Sequence, residues 1–133
     1  MPFDNTKPEV KTYTDELREL YVWTERPTTL ANEPDVALRA FEFARREIGR
    51  GNWTKDVECD GDGNYCVLGH IARVVYEARD LAQKYLAPSV PQDFAPQDEF
   101  EDPTDLVVAY NDHPDTTAID MINLLNRAID NLA

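Results

Sequence analysis

Cys66 and His70 are the residues of this 133-residue chain whose types and spacing come closest to a catalytic pair. A thiol and an imidazole four positions apart lie on one face of a helix, and Arg73 and Glu77 continue the same stripe. A thiol, an imidazole and a carboxylate are the parts of a cysteine hydrolase. Cys66 also stands at the predicted start of a helix, where the helix dipole favours a thiolate.

A buried structural thiol is the competing interpretation of Cys66. Free cysteine is among the most buried residue types, and partners one turn apart on a single helix rarely reach the geometry of attack. His113, which follows Asp112, is a second candidate base. The catalytic hypothesis therefore rests on Cys66, His70, His113 and Asp112, and it is an alternative to a non-enzymatic role.

The cysteines and histidines do not have the spacing of a metal site. Cys59 and Cys66 are seven positions apart, and no His-x₃₋₅-His pair is present. Residues 56–61 begin like a calcium loop, but Val67 occupies the twelfth position, where a bidentate Glu is required. We therefore expect no metal, no cofactor and, with only two cysteines, no disulfide framework.

The charge of the chain is strongly negative and unevenly distributed. The formal net charge is −13, and no Lys or Arg stands between Lys84 and Arg127. The acidic residues of that stretch are Asp93, Asp98, Glu99, Glu101, Asp102, Asp105, Asp112, Asp115 and Asp120. Such a surface repels nucleic-acid phosphates and anionic lipids, so direct binding to DNA, RNA or a membrane is disfavoured. A basic protein partner is favoured, and plain solubility is the competing explanation.

Neither a membrane span nor a secretory signal is predicted. The chain has no run of about 18 apolar residues, which a transmembrane helix requires. Residues 1–5 lack the basic and apolar parts of a signal peptide. We expect a cytoplasmic protein, and no sequence feature predicts its oligomeric state.

The elements that must position these residues are mostly helical. Residues 1–12 are expected to form a flexible arm, and residues 13–133 a single helical domain. Thr14 is a predicted cap for a first helix, which Pro27 ends. A second helix begins with Asn32 as cap and Pro34 in its first turn. Its apolar stripe consists of Ala37, Ala40, Phe41, Ala44 and Ile48.

The remaining pattern predicts a small β-hairpin near residues 53–66 and a central amphipathic helix at 67–86. An acidic, proline-rich surface loop follows at 87–103, then a short helix at 105–110. A C-terminal helix is predicted at 117–132. The fold class is therefore mostly α: four to five helices packed around the central and the C-terminal helix. Asn111 and Asp112 either cap the turn between two helices or share a site with the Cys66 end of the central helix.

Two segments together resemble a family of small uncharacterised proteins from actinobacteria and their phages, classed as a domain of unknown function. The first is Trp53-Thr54-Lys55, the Asp60-Gly61-Asp62-Gly63 turn and Tyr65-Cys66-Val67-Leu68-Gly69-His70-Ile71. The second is Tyr110-Asn111-Asp112, Thr116-Thr117 and the helix containing Arg127-Ala128-Ile129; Tyr110 stands where the family pattern usually has Trp. The resemblance covers residues 36–82 and 105–130 and implies a phage or actinobacterial origin, but no known activity.

Three functional hypotheses follow. The leading one is a phage-encoded or phage-related protein, not an enzyme, that binds another (host) protein through its acidic face. The residues predicted to bind are Asp98, Glu99, Glu101, Asp102, Asp105 and Asp112, with the aromatic residues Trp53, Tyr65 and Tyr110 as a second candidate surface. The alternatives are a cysteine-dependent hydrolase that uses Cys66 and an acidic mimic of nucleic acid.

Overall fold

The computed structural model describes residues 33–95 and 99–132, and this part of the chain is mostly helical. The helices are α1 (Glu33–Gly49), α2 (Val67–Ala72), α3 (Ala78–Leu81), α4 (Pro103–Asp112) and α5 (Ala118–Asp130). The predicted arm at 1–12, the helix after Thr14, the Asn32 cap and Asp98 lie outside the described residues. None of the described helices is long and apolar enough to cross a bilayer.

Helix α1 confirms the predicted apolar stripe. Ala37, Ala40, Phe41, Ala44 and Ile48 are all buried, and Phe43 and Glu47 widen the buried face. Two acidic residues in its first turn, Glu33 and Asp35, stabilise the helix by interacting with the positive end of the helix dipole. The helix ends at Gly49, followed by Gly51 with a φ of 90°.

Helix α5 contributes a second large face to the core and packs chiefly against α1. Thr117 and Asp120 form a reciprocal capping box, which fixes the start of the helix one residue from the predicted one. Met121, Leu124, Leu125 and Ala128 are buried. The predicted C-terminal helix at 117–132 is therefore present, with its regular part at Ala118–Asp130.

The prediction of one continuous helix at 67–86 is wrong. Helix α2 ends at Ala72, and a turn leads to α3, which continues as a π-helical turn, Ala82–Leu86, and a 3₁₀ turn, Ala87–Ser89. Val74 and Val75 are both buried within the turn. Consecutive β-branched residues disfavour a helix, yet their apolar character preserves the helical spacing that the prediction used.

The predicted β-hairpin at 53–66 is also not formed. The described residues contain no strand, and this segment has only isolated bridges from Tyr65 to Trp53 and to Cys59. The Trp53 bridge is parallel, which a two-stranded hairpin cannot provide. Asp60 organises the turn instead, because its carboxylate accepts hydrogen bonds from the Asp62 and Asn64 amides. The segment is a compact loop, called here the 53–66 loop.

The start of the predicted 87–103 surface loop is packed into the protein. Ala87, Ser89 and Val90 are buried. Arg127 of α5 donates from Nε to the Ser89 carbonyl oxygen at 2.8 Å. At the far end of the segment Asp102 caps α4 and accepts a hydrogen bond from the Thr104 amide. Both ends of this segment are therefore fixed to helices.

Candidate functional site

Asn111, at the end of α4, forms four side-chain hydrogen bonds, three of which join the two motif segments. Its Oδ1 accepts from Trp53 Nε1 at 2.7 Å and from the Val67 amide at 3.0 Å. Its Nδ2 donates to the Thr54 carbonyl oxygen and to Asp112 Oδ1. The side chain is 1% exposed, and these four bonds use its full donor and acceptor capacity. Asn111 thereby lies beside the Cys66 end of α2.

Two further contacts attach the 53–66 loop to the end of α4. The Asp56 amide donates to Asp112 Oδ1 at 2.8 Å, and Lys55 Nζ donates to the His113 carbonyl oxygen at 2.7 Å. Lys55 thus supplies a cation and a donor at a helix C-terminus, where both are favourable. Asp56 has a φ of 72°, a left-handed conformation that Asp and Asn tolerate better than most residues.

Gly69 lets the loop approach α2 closely. A Cβ atom at this position would lie 2.6 Å from the Glu58 carbonyl oxygen and 3.2 Å from the Tyr65 ring. The same Glu58 carbonyl accepts a hydrogen bond from the Cys66 amide at 3.0 Å. The loop backbone therefore lies directly on the first turns of α2, and only glycine leaves it room.

These contacts enclose a cleft of about 220 Å³ between the 53–66 loop, α2 and α4. Its charged or reactive lining comprises three carboxylates, one guanidinium and one thiol, namely Asp56, Glu58, Asp112, Arg79 and Cys66. Its apolar lining comprises Val57, Val67, Leu68 and Val108. Arg79 forms an ion pair with Asp102 at 2.9 Å, so its charge is balanced from outside the cleft. The lining of the cleft is therefore largely apolar and carries an excess of negative charge.

Cys66 is the reactive side chain of this cleft, and its environment favours the neutral thiol. It caps α2, and its Sγ accepts a hydrogen bond from the Gly69 amide at 3.2 Å. Burial raises the pKa of the Cys66 thiol, and the negative charges of Glu58 and Asp112 add to that rise. The Gly69 amide opposes the rise without cancelling it. At neutral pH Cys66 is thus a protonated N-cap residue.

His70, the first candidate base, is fully buried and its ring nitrogens have other partners. Nε2 lies 2.6 Å from the Asn52 carbonyl oxygen, so that nitrogen carries the proton. Nδ1 accepts from Arg73 Nη1 at 3.2 Å. Burial lowers the pKa of His70 to about 4, and the Arg73 charge contributes in the same direction. His70 is therefore a neutral imidazole that holds Asn52 and Arg73.

Arg73 belongs to a buried cluster around His70, and it does not continue a catalytic stripe from Cys66. Its guanidinium lies 4.5 Å from the Tyr65 ring centre and 4.9 Å from that of Phe43. It also lies 3.6 Å from a carboxylate oxygen of Glu47. Stacking between two rings and pairing with a nearly buried carboxylate are stabilising roles for arginine.

His113, the second candidate base, is held at the end of α4. Its Nδ1 accepts from the Asp115 amide at 3.1 Å, and its ring packs edge-on against Phe94. No hydrogen bond connects either imidazole with Cys66 in the described residues. The four catalytic candidates are thus distributed over the cleft (Cys66, Asp112), the buried cluster (His70) and the α4 terminus (His113).

The aromatic candidates also have internal partners. Trp53 donates to Asn111, and Tyr65 contacts His70 with 5.3 Å between ring centres. Tyr110 is 8% exposed and packs edge-on against Phe94 at 5.0 Å. The three rings stabilise the walls around the cleft and do not form one shared exposed surface.

The acidic stretch divides into two groups of carboxylates. Asp102, Asp112 and Asp120 accept hydrogen bonds from backbone amides, and for Asp102 this contact and Arg79 hold the pKa at about 2. The others described are exposed and have no ion-pair partner among the described residues. We call them the acidic face: Asp93, Glu99, Glu101, Asp105 and Asp115. Asp105 and Asp112 share one face of α4, so the acidic face continues to the cleft.

Sequence reasoning missed Arg79, Asp56 and Glu58 as lining of the cleft. Arg79 looks like an ordinary solvated residue in the sequence, and Asp56 and Glu58 stood out only as the start of a calcium-like loop. Their proximity to Asp112 depends on the 53–66 loop folding against α4. No cluster of three or more metal-binding side chains occurs within residues 33–95 and 99–132. In the segment that begins like a calcium loop, Asp60 uses its oxygens within its own turn.

The chain belongs to a family of unknown function, DUF6197, whose model matches residues 32–131. That range includes both motif segments, the cleft and the whole acidic face. No curated protein and no solved structure matches the chain.

Proposed function

We propose that this protein is a non-enzymatic interaction protein that binds a basic partner protein through its acidic face. The observation that supports the proposal is the division of the acidic stretch. Carboxylates that cap helices or brace the loop have partners, whereas Asp93, Glu99, Glu101, Asp105 and Asp115 are exposed and unpaired within the described residues. Exposed charge of one sign attracts a partner of opposite charge and accelerates association.

The contacts of Cys66 do not favour the hydrolase alternative. A cysteine nucleophile needs a lowered pKa or a base within hydrogen-bond reach. Burial raises the pKa of Cys66, and the described imidazoles of His70 and His113 bond elsewhere. We therefore retain the interaction function, for which the chain needs no activated group.

The resemblance to proteins of actinobacteria and their phages extends the proposal to the source of the partner. A small acidic phage protein can act by binding and redirecting a protein of its host. We propose such a host protein, in the host cytoplasm, as the partner. In the mimicry version of this function, spaced carboxylates stand in for phosphates and the partner is a nucleic-acid-binding protein.

The test compares capture of host-lysate proteins by the parent and by a charge-neutralised variant, Asp93→Asn/Glu99→Gln/Glu101→Gln/Asp115→Asn. None of these four side chains caps a helix, so the melting temperature should stay close to that of the parent. The proposal requires that the parent captures specific proteins which the variant no longer captures. Their binding to the parent should weaken with added salt, because exposed charges are screened beyond about 8 Å at physiological ionic strength. Competing duplex DNA should displace them only in the mimicry version.

A matched control neutralises four carboxylates outside the acidic face: Asp35→Asn, Glu42→Gln, Asp62→Asn and Asp130→Asn. It changes the net charge equally and should capture the same proteins as the parent. If the parent and both variants capture the same set, the acidic face serves solubility alone and the proposal is overturned.

A further inference from the structure

We propose that the cleft between the 53–66 loop, α2 and α4 receives a single lysine side chain of the basic partner. This inference rests on the proposed function, because it names the group by which the partner is recognised. It is carried by three features of the cleft together: a largely apolar lining, three carboxylates in that lining, and a size suited to one side chain.

The lining has the two parts that a lysine side chain requires. Val57, Leu68 and Val108 offer apolar surface for the four methylene groups of the lysine stem. Asp56, Glu58 and Asp112 place negative charge around the same cleft for the ammonium group. Lysine binds in this divided manner, with the stem against apolar surface and the charge at a polar rim.

The size of the cleft argues against a cofactor or a larger metabolite. At about 220 Å³ it is smaller than the roughly 300–1,000 Å³ of small-molecule sites. No cluster suited to a metal ion occurs in the described residues, so the carboxylates do not converge on one point. A single extended side chain is the occupant whose volume and charge distribution agree with the lining.

The arrangement of the carboxylates favours lysine over arginine. Asp112 Oδ1 already accepts hydrogen bonds from the Asp56 amide and from Asn111 Nδ2, which leaves Oδ2 for a ligand. A guanidinium is best bound by both oxygens of one carboxylate. An ammonium group is a compact charge that needs only one free carboxylate oxygen, such as Asp112 Oδ2, while the negative charges of Asp56 and Glu58 attract it from the same cleft.

Cys66 provides a built-in reporter of occupancy, because its thiol lines the cleft close to Glu58 and Asp112. A bound ammonium group would stabilise the thiolate and lower the pKa of Cys66. The measurement uses the Cys59→Ser variant, so that Cys66 is the sole thiol in the full chain. The probe is a ten-residue Gly/Ser peptide with one central lysine, and its counterpart carries Nε-acetyl-lysine, which retains the stem without the charge.

The expected result is saturable binding of the lysine peptide at millimolar concentration, with NMR shifts of the Leu68, Val108 and Asp112 amides and a lower pKa of Cys66. The acetylated peptide should produce neither effect. Asp56→Asn/Glu58→Gln should weaken binding roughly tenfold through loss of two partly exposed charge contacts. Asn is chosen at position 56 because it tolerates the φ of 72°.

A charge-matched control, Glu42→Gln/Asp130→Asn, should change the affinity less than twofold. Equal binding of the two peptides, or shifts confined to the acidic face, would overturn the cleft as a lysine site. The lysate experiment then separates the two proposals. Loss of partners from the acidic-face variant, together with full retention by Asp56→Asn/Glu58→Gln, would sustain the interaction function and reject the cleft.

Discussion

Asn111 Oδ1 accepts a hydrogen bond from Trp53 Nε1 at 2.7 Å, across 58 positions of the chain. The same oxygen accepts from the Val67 amide at the start of α2. One buried amide therefore holds the 53–66 loop, α2 and α4 together, and the wall of the cleft depends on it.

Replacement of Asn111 by Ala should lower the free energy of unfolding by about 2–4 kcal/mol. Four hydrogen bonds are lost, and the part-buried Trp53 Nε1 and the buried Val67 amide are left without this acceptor. Urea unfolding of the parent and the variant measures the difference. Asn126→Ala removes one hydrogen bond, from Arg45, and should cost less than 1.5 kcal/mol, which is roughly the value of a single bond. Equal losses would contradict the central position of Asn111.

Replacement of Gly69 by Ala should destabilise the protein by about 1–3 kcal/mol, as overpacking does. The added Cβ would lie 2.6 Å from the Glu58 carbonyl oxygen, which belongs to the backbone and cannot rotate away. Gly49→Ala is the control, because its Cβ would meet only Ile122 Cδ1 at 4.0 Å. Thermal unfolding should separate the two variants, and a Gly69→Ala protein as stable as Gly49→Ala would show that the loop does not lie on α2 as described.

The two thiols should differ in their reaction with a thiol reagent at neutral pH. Cys59 is exposed, whereas Cys66 is buried and has a raised pKa. Because the thiolate is the reactive form, Cys59 should be modified first and Cys66 slowly. Mass spectrometry of peptides after timed quenching identifies the modified residue. Faster modification of Cys66, or a pKa below about 7, would revive the hydrolase hypothesis.

Stability should fall with acidification between pH 6.5 and about 4 because of His70. The pKa of His70 is lowered to about 4 in the folded protein, so only the unfolded chain takes up the proton in this interval. By linkage, His70 does not reduce the free energy of unfolding above pH 6.5. Below pH 6.5 that free energy falls, by on the order of 3 kcal/mol in total as the pH approaches 4. Urea unfolding at several pH values should show that the free energy of unfolding falls more steeply with decreasing pH for the parent than for His70→Gln. An NMR titration that places His70 near 6.5 would refute the prediction.

Asp102 should make stability depend on pH in a more acidic interval than His70 does. Its pKa is lowered to about 2 from 3.8 by the Thr104 amide first and the Arg79 ion pair second. The carboxylate therefore stabilises the folded state above pH 3.8, and this contribution disappears as the pH falls towards 2. Asp102→Asn retains an acceptor for the cap but not the charge. Its stability should be lower than that of the parent at neutral pH and converge with it in acid; a constant difference would exclude the charge as the cause.

The sequence was sufficient to predict α1 and α5, because their apolar residues repeat at helical spacing and their ends carry capping residues. The Thr117 capping box and the Ala37–Ile48 stripe are local features that do not depend on the rest of the fold. The same periodicity could not reveal the interruption after Ala72, since Val74 and Val75 stay buried while the backbone leaves the helix.

The candidate site was predictable only in part. Cys66 and Asp112 stood out by residue type, and both line the cleft. Asp56, Glu58 and Arg79 could not be recognised, because they meet these residues only after the 53–66 loop folds against α4. The turn residues 60–64 correctly indicated a reversal of the chain, and a few backbone hydrogen bonds join the flanking residues across it. The turn residues could not indicate that these flanking residues also bond to side chains at the end of α4.

The lack of a strand ladder in the 53–66 loop has a consequence for hydrogen exchange. The Asp56 and Val67 amides are protected by Asp112 and Asn111 side chains, not by a neighbouring strand. Breaking a few such bonds would open this loop as a unit while α1 and α5 remain packed. We expect these two amides to exchange together and sooner than the amides of Ala40 or Leu125, so the cleft wall should open at a lower free energy than the core.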